Sequence, residues 1–157
     1  MIRDFEFYIK GNMVKRTVIN PSLAKSLMEK AELRLKRLIE SEIKKEFSSI
    51  MFEEAYEAMR EASQALMQLK GFKPYSHEAL IAFLIKEKLF NESAIKSLDR
   101  YRILRNKSVY EAHKVSAETL KEALEWSSQK PTFLKPKRSL LSLKTRLLHP
   151  EILNLCL

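Results

Sequence analysis

Glycine is the scarcest signal in this 157-residue chain: there are two, Gly11 and Gly71, where ordinary usage would supply about eleven. Each stands alone, so no glycine-rich loop can cradle a pyrophosphate, and dinucleotide folds and P-loops are excluded. A turn-rich β-sandwich is disfavoured on the same ground. The single cysteine, Cys156, cannot close an internal disulfide or build a thiolate zinc site. His77, His113 and His149 are scattered, with no pair at helical ligand spacing, so neither a metal nor another cofactor is expected. No run of eighteen apolar residues is present to span a membrane. The first ten residues carry Arg3, Asp4 and Glu6 in place of an apolar run, so no signal peptide is read and a cytoplasmic protein is expected.

What remains is 45% apolar and 31% charged, rich in Leu, Glu, Lys and Ala. That composition belongs to a folded, all-α protein. The net charge of +9 is unevenly placed. Residues 10–45 hold ten basic groups against four acidic, and residues 46–64 invert, with five acids against Arg60. Residues 96–107 are basic again, and 130–146 hold six cations (Lys130, Lys135, Lys137, Arg138, Lys144 and Arg146) and no acid. Patches of this kind suit a polyanion such as RNA, or an acidic protein.

Residues 1–19 read either as a strand, through Phe5, Phe7 and Ile9, or as a short helix capped by Asp4 and ended by Gly11; the helix is preferred. From residue 20 the helix signals are regular. Asn20 and Pro21 start a helix with the stripe Leu23, Leu27, Ala31, Leu35, Leu38 and Ile39, running to about Ile43. A second helix, from about Ser48 to Lys70, has the seam Met51, Ala55, Ala58, Ala62, Ala65 and Leu69, whose small residues allow a close antiparallel partner. Its acidic run, Glu53, Glu54, Glu57 and Glu61, reads as a solvated face. Ser76 caps a short helix that is apolar all round, and His77 in its first turn reads as a surface residue. Asn91 caps a fourth helix to about Val109. Ser116 caps a fifth to about Ser128, with Val115 and Leu120 placed as a hydrophobic staple, and Trp126 near its end reads as core or interface. Short connections favour an up-and-down bundle of four to five helices over residues 20–129. Residues 130–157, with Pro131 and Pro136 and then eight leucines in the last twenty positions, form a basic C-terminal extension.

The fourth helix carries the anomaly. Ile95, Leu98 and Val109 define an apolar stripe, and Asp99, Arg102, Arg105 and Asn106 fall within or beside it. Cations on an apolar face must be paired or must bind something. Asp99–Arg102 and Arg102–Asn106 have the spacing for local bonds, so one reading is a satisfied polar network or a subunit interface. The other is a phosphate site, because guanidinium forks match phosphate oxygens.

The stretch from Leu98 to Tyr110, Leu-Asp-Arg-Tyr-Arg-Ile-Leu-Arg-Asn-Lys-Ser-Val-Tyr, resembles the signature helix of HEPN (higher eukaryotes and prokaryotes nucleotide-binding) domains. The helix order over residues 20–129 and the run from Asn20 to Leu27 are similar as well. The resemblance implies a dimeric helical bundle, often encoded beside a minimal nucleotidyltransferase and in many members a metal-independent ribonuclease. Arg105 matches the motif arginine and Asn106 the polar residue after it, while Tyr110 stands where histidine is commonest. His113, beyond that position, is a displaced base or a turn histidine. In the family's chemistry the ribose 2′-hydroxyl attacks the neighbouring phosphate, and a base must take its proton. Tyrosine, with a pKa near 10, does this poorly. The resemblance therefore implies a homodimer that binds RNA, a nucleotide or a nucleotidyltransferase partner in a toxin–antitoxin-like module, with weak or no nuclease activity. Asp99, Arg102 and Arg105 would supply the binding or interface contacts. The alternatives are an active ribonuclease toxin using Arg105, Asn106 and a substitute base, and a structural helical adaptor.

Overall fold

The computed structural model describes residues 2–129, so the extension at 130–157 lies outside the described residues. Over these described residues the fold is an all-α bundle of six helices with one small antiparallel ribbon. The helices are α1 (Phe5–Lys10), α2 (Pro21–Glu40), α3 (Ser48–Gln68), α4 (His77–Lys86), α5 (Glu92–Glu111) and α6 (Ala117–Ser128), with a single 3-10 turn at Lys45–Phe47 before α3. The ribbon pairs β1 (Val14–Arg16) with β2 (Phe72–Pro74).

Local chemistry starts five of the six helices. Asp4, Asn20, Ser76, Asn91 and Ser116 each accept a hydrogen bond from the backbone N–H three residues on. Gly11 closes α1 by donating its N–H to the Phe7 carbonyl at 3.0 Å, but the left-handed residue there is Asn12, with φ 57°. Gly71 is required more strictly. Its φ is +69°, and a β-carbon would lie 2.7 Å from the Thr17 carbonyl oxygen, where the two arms of the ribbon meet.

α3 is the central rod, buried along nearly its whole length from Phe52 to Leu69. α2 packs antiparallel to it: Lys30 and Arg34 reach Glu61, while Arg37, farther along α2, reaches Glu54. The buried seam of α2 is Ala24, Met28, Ala31, Leu35 and Leu38. It differs from the sequence stripe at its ends, where Leu23 and Ile39 are exposed, and at Leu27, which is only partly buried while Met28 takes the seam. Small residues on both helices, Ala24 and Ala31 on α2 and the buried alanines of α3, allow the two backbones to approach closely. α4 is buried from Ala79 to Leu84, as its apolar circumference requires. Val115 and Leu120 are both buried at the start of α6, in the staple arrangement.

The acidic run of α3 is not a solvated face. Glu61 is fully buried between Lys30 and Arg34, Glu54 pairs with Arg37, Glu57 with Arg60, and Glu53 accepts from Ser108 at 2.6 Å. Each carboxylate is drawn to a cation or hydroxyl, all but Arg60 from another helix, a pairing that one helix's periodicity does not contain.

Candidate functional site

The buried line of α5 is Ala94, Leu98, Tyr101 and Ser108. Val109, expected on that line, is exposed, and Ile95 only borders the core. Tyr101 takes the central place: its ring meets Phe52 and Trp126 edge-on at 6.0 and 5.8 Å, and its hydroxyl donates to Glu122 at 3.3 Å. At 100° per residue, Arg105 falls inside the arc between Leu98 and Tyr101. The fold thus turns a guanidinium toward its own core side.

Arg102, one turn earlier, is satisfied. Its Nε donates to Asp99 at 2.7 Å and its Nη1 to Glu78 at 2.9 Å, and the side chain is 13% exposed. The expected Arg102–Asn106 bond is replaced by one from Arg105 Nη1 to the Asn106 side-chain oxygen at 3.3 Å. Arg105 itself is half-buried and, among the described residues, has no carboxylate partner. Its guanidinium lies 5.9 Å from the ring centroid of Tyr110, whose side chain is exposed. His113 lies past the end of α5, exposed, with its backbone N–H on the Lys107 carbonyl.

The histidine that belongs to this neighbourhood is His77, which the sequence placed on the surface. It is half-buried at the start of α4 and stacks on Tyr56 of α3, with ring centroids 5.6 Å apart and planes at 8°. Nδ1 of His77 and the Tyr56 hydroxyl are 3.0 Å apart. Burial lowers the imidazole pKa below its ordinary value, and the positive field of Arg105, then of Arg60, lowers it further. Burial likewise drives the Tyr56 hydroxyl well above the usual phenol range, against the pull of Arg102, Arg105 and Arg60. Both groups are therefore neutral at pH 7. Arg60 is taken by Glu57 at 2.6 Å and by the Gln64 side-chain oxygen at 2.8 Å. Burial, the largest single influence, would raise the Glu57 carboxyl, but the bond from Arg60 and the charges of Arg60 and Arg34 together outweigh it and hold the group below its ordinary range.

The positive fields of three guanidiniums thus reach a Tyr–His pair, and carboxylates neutralise two of the three. Arg105 keeps no carboxylate among the described residues, and its field reaches a neutral imidazole. Such a site suits one phosphate group, whose oxygens would take the guanidinium fork while His77 gives or receives a proton. No local pattern announces Tyr56 and His77 together, since they lie 21 residues apart on different helices. Elsewhere, a groove of about 210 Å³ between α2 and α6, lined by Ile39, Ile43, Lys121, Leu124, Glu125 and Ser128, holds no comparable set of groups. Trp126 is committed to packing, between Tyr101 and Phe90. No helix of the described residues is long and apolar enough to cross a membrane. No family model, curated protein or solved structure matches the chain.

Proposed function

We propose that this chain is a HEPN-type helical-bundle protein whose Arg105 binds a phosphate group of RNA or of a nucleotide. The observation that supports this reading is Arg105 itself: a half-buried residue on the core-facing arc of α5, its charge felt by His77, without a carboxylate among the described residues. The adaptor reading accounts for Arg102, which has two carboxylates, but supplies no counter-charge for Arg105, which has Asn106 and the Tyr110 ring as its contacts. Asp99 and Glu78 then fix Arg102 as a rigid wall of the site, and Asn106 orients Arg105.

Binding of a fluorescent oligoribonucleotide or ribonucleoside monophosphate tests this. Arg105→Ala is expected to weaken affinity at least tenfold, the scale of one charge-assisted contact, with the melting temperature unchanged. A loss of several kcal/mol in stability with binding intact would make Arg105 structural. The exposed Ile103, Val109 and Tyr110 support pairing of α5 with a second copy, and nucleotidyltransferase docking would use the same surface. Light scattering should then give a dimer at micromolar concentration; a monomer throughout would contradict the pairing.

His77 favours a second reading, an active metal-independent ribonuclease. In it His77 would take the proton of the ribose 2′-hydroxyl as that oxygen attacks phosphorus, the P–O5′ bond breaks with the 5′-oxygen taking a proton from water, and a 2′,3′-cyclic phosphate forms. Tyr110 then needs no catalytic part. Cleavage that survives His77→Ala would exclude this role.

A further inference from the structure

A second basic surface lies outside the Arg105 site, on the ribbon. Val14 faces the core, so alternation turns Lys15 outward, together with Lys73 and Tyr75 of the opposite arm. The register sets Lys15 directly across from Lys73. Like charges in facing positions destabilise a ribbon, and a two-stranded ribbon has little stability to spare. Lys15, Lys73, Arg16 and Lys10 are all exposed, and none has an ion pair among the described residues. The segments 7–28 and 62–77 contain no acidic residue. Of the acids flanking these segments, Glu6 and Glu78 are held by Lys86 at 2.8 Å and by Arg102 at 2.9 Å.

Aromatic rings are interleaved with these cations. Tyr75 is 58% exposed with Lys73 Nζ 5.6 Å from its ring centroid, and Arg16 lies over Phe72 at 5.4 Å. The ladder extends to Tyr75, whose N–H donates to the Met13 carbonyl at 2.8 Å, so the ring is carried on fixed backbone. Only Ser76 separates Tyr75 from His77, and its hydroxyl is fixed as the cap of α4. The Cα atoms of Tyr75 and His77 are thus within about 7 Å of each other.

We infer that the outer face of the ribbon, Lys15, Lys73 and Tyr75, is a binding surface for single-stranded nucleic acid that leads into the Arg105 site. Lys15 and Lys73 take successive backbone phosphates, Tyr75 stacks a base, and the strand passes Ser76 to place its next phosphate near His77 and Arg105. An exposed ring among unpaired lysines matches an unpaired base better than an acidic peptide, which offers charge without stacking partners. The continuation into the site rests on the reading of Arg105 given above; the ribbon surface does not.

Fluorescence polarisation on the full chain separates the two. The probes are ten-nucleotide oligouridylate, its deoxy counterpart, a duplex RNA of the same length, poly-glutamate and a ribonucleoside monophosphate. Tyr75→Ala should weaken both single strands about tenfold and leave the duplex unchanged, while Tyr75→Phe keeps the affinity. The Lys15→Gln/Lys73→Gln pair should lower the slope of log affinity against log salt by about 1.4, since each phosphate that a lysine no longer neutralises removes about 0.7. Preference for the ribo or the deoxy strand tells which nucleic acid is bound. If Arg105→Ala weakens monophosphate binding but the ribbon variants leave affinity and slope alone, the ribbon inference is wrong and the Arg105 reading stands. The reverse pattern keeps the ribbon and removes the Arg105 site. Poly-glutamate binding lost in the lysine pair, with Tyr75→Ala silent on the single strands, would overturn the inference in favour of an acidic protein. Circular dichroism of each variant confirms that these exposed substitutions leave the fold in place.

Discussion

Tyr101→Ala should cost about 3–5 kcal/mol in chemical unfolding, the range for emptying the site of a buried aromatic ring. Tyr101 is fully buried and touches three groups at once: Phe52 of α3, Trp126 of α6 and, through its hydroxyl, Glu122. Tyr101→Phe isolates the hydroxyl and should cost no more than about 1 kcal/mol. The Glu122 carboxylate keeps a partner in Arg100 at 2.5 Å, so losing the phenol does not strand a charge. The consequence reaches the site, since the rotation of α5 that buries Tyr101 is the one that turns Arg105 inward. A cost below about 1 kcal/mol for Tyr101→Ala would mean that α5 instead buries the Ile95–Val109 stripe, and Arg105 would then lie elsewhere.

Glu61→Ala should be the most damaging charge removal, at about 2 kcal/mol. The carboxylate is only 1% exposed and is held by Lys30 at 2.7 Å and Arg34 at 3.4 Å across the α2–α3 seam. Breaking a wholly buried pair costs more, about 3–5 kcal/mol, because a charge is left stranded. Here Lys30 is 61% and Arg34 24% exposed, so both cations can turn to water and the loss is smaller. Glu61→Gln retains the volume but points an amide donor at two cations, and should cost at least as much. If both variants are neutral, the apolar seam alone holds α2 to α3. A double-mutant cycle with Arg34→Ala would show that as zero coupling.

The helix starts were legible because a cap is a local bond, spanning three residues, and Asp4, Asn20, Ser76, Asn91 and Ser116 all have the right side chain in the right place. The hairpin of α2 and α3 was legible through the alanines of α3. The rotation of each helix was less so. Leu23 outranks Ala24 and Val109 outranks Ser108 by hydrophobicity, yet the smaller residue is buried in both pairs. Helix approach distance decides this, and it is a property of two helices together. The ribbon escaped notice for a related reason: two three-residue strands carry almost no period, and their partners are some sixty positions apart.

The site divides in the same way. Arg102, Arg105 and Asn106 were visible as polar residues on an apolar helix face, and the Asp99–Arg102 bond follows from their spacing. The second arm of Arg102 to Glu78 and the Tyr56–His77 stack join residues 24 and 21 positions apart, beyond any local pattern. His77 looked ordinary because the first turn of a capped helix is ordinarily solvated. Here that turn is set against α3 and α5, and burial changes the chemistry of the ring.

The most direct test of phosphate binding at Arg105 is the NMR titration of the His77 imidazole, with and without a saturating ribonucleoside monophosphate. In the free protein its midpoint should lie below the ordinary value near 6.5, since burial and Arg105 both disfavour the imidazolium. A bound phosphate compensates Arg105 and adds negative charge, so the midpoint should rise with ligand. In Arg105→Ala the free midpoint should rise toward the ordinary value and the ligand should no longer move it. A His77 midpoint that is the same with and without nucleotide in the unaltered protein would contradict a phosphate site at Arg105.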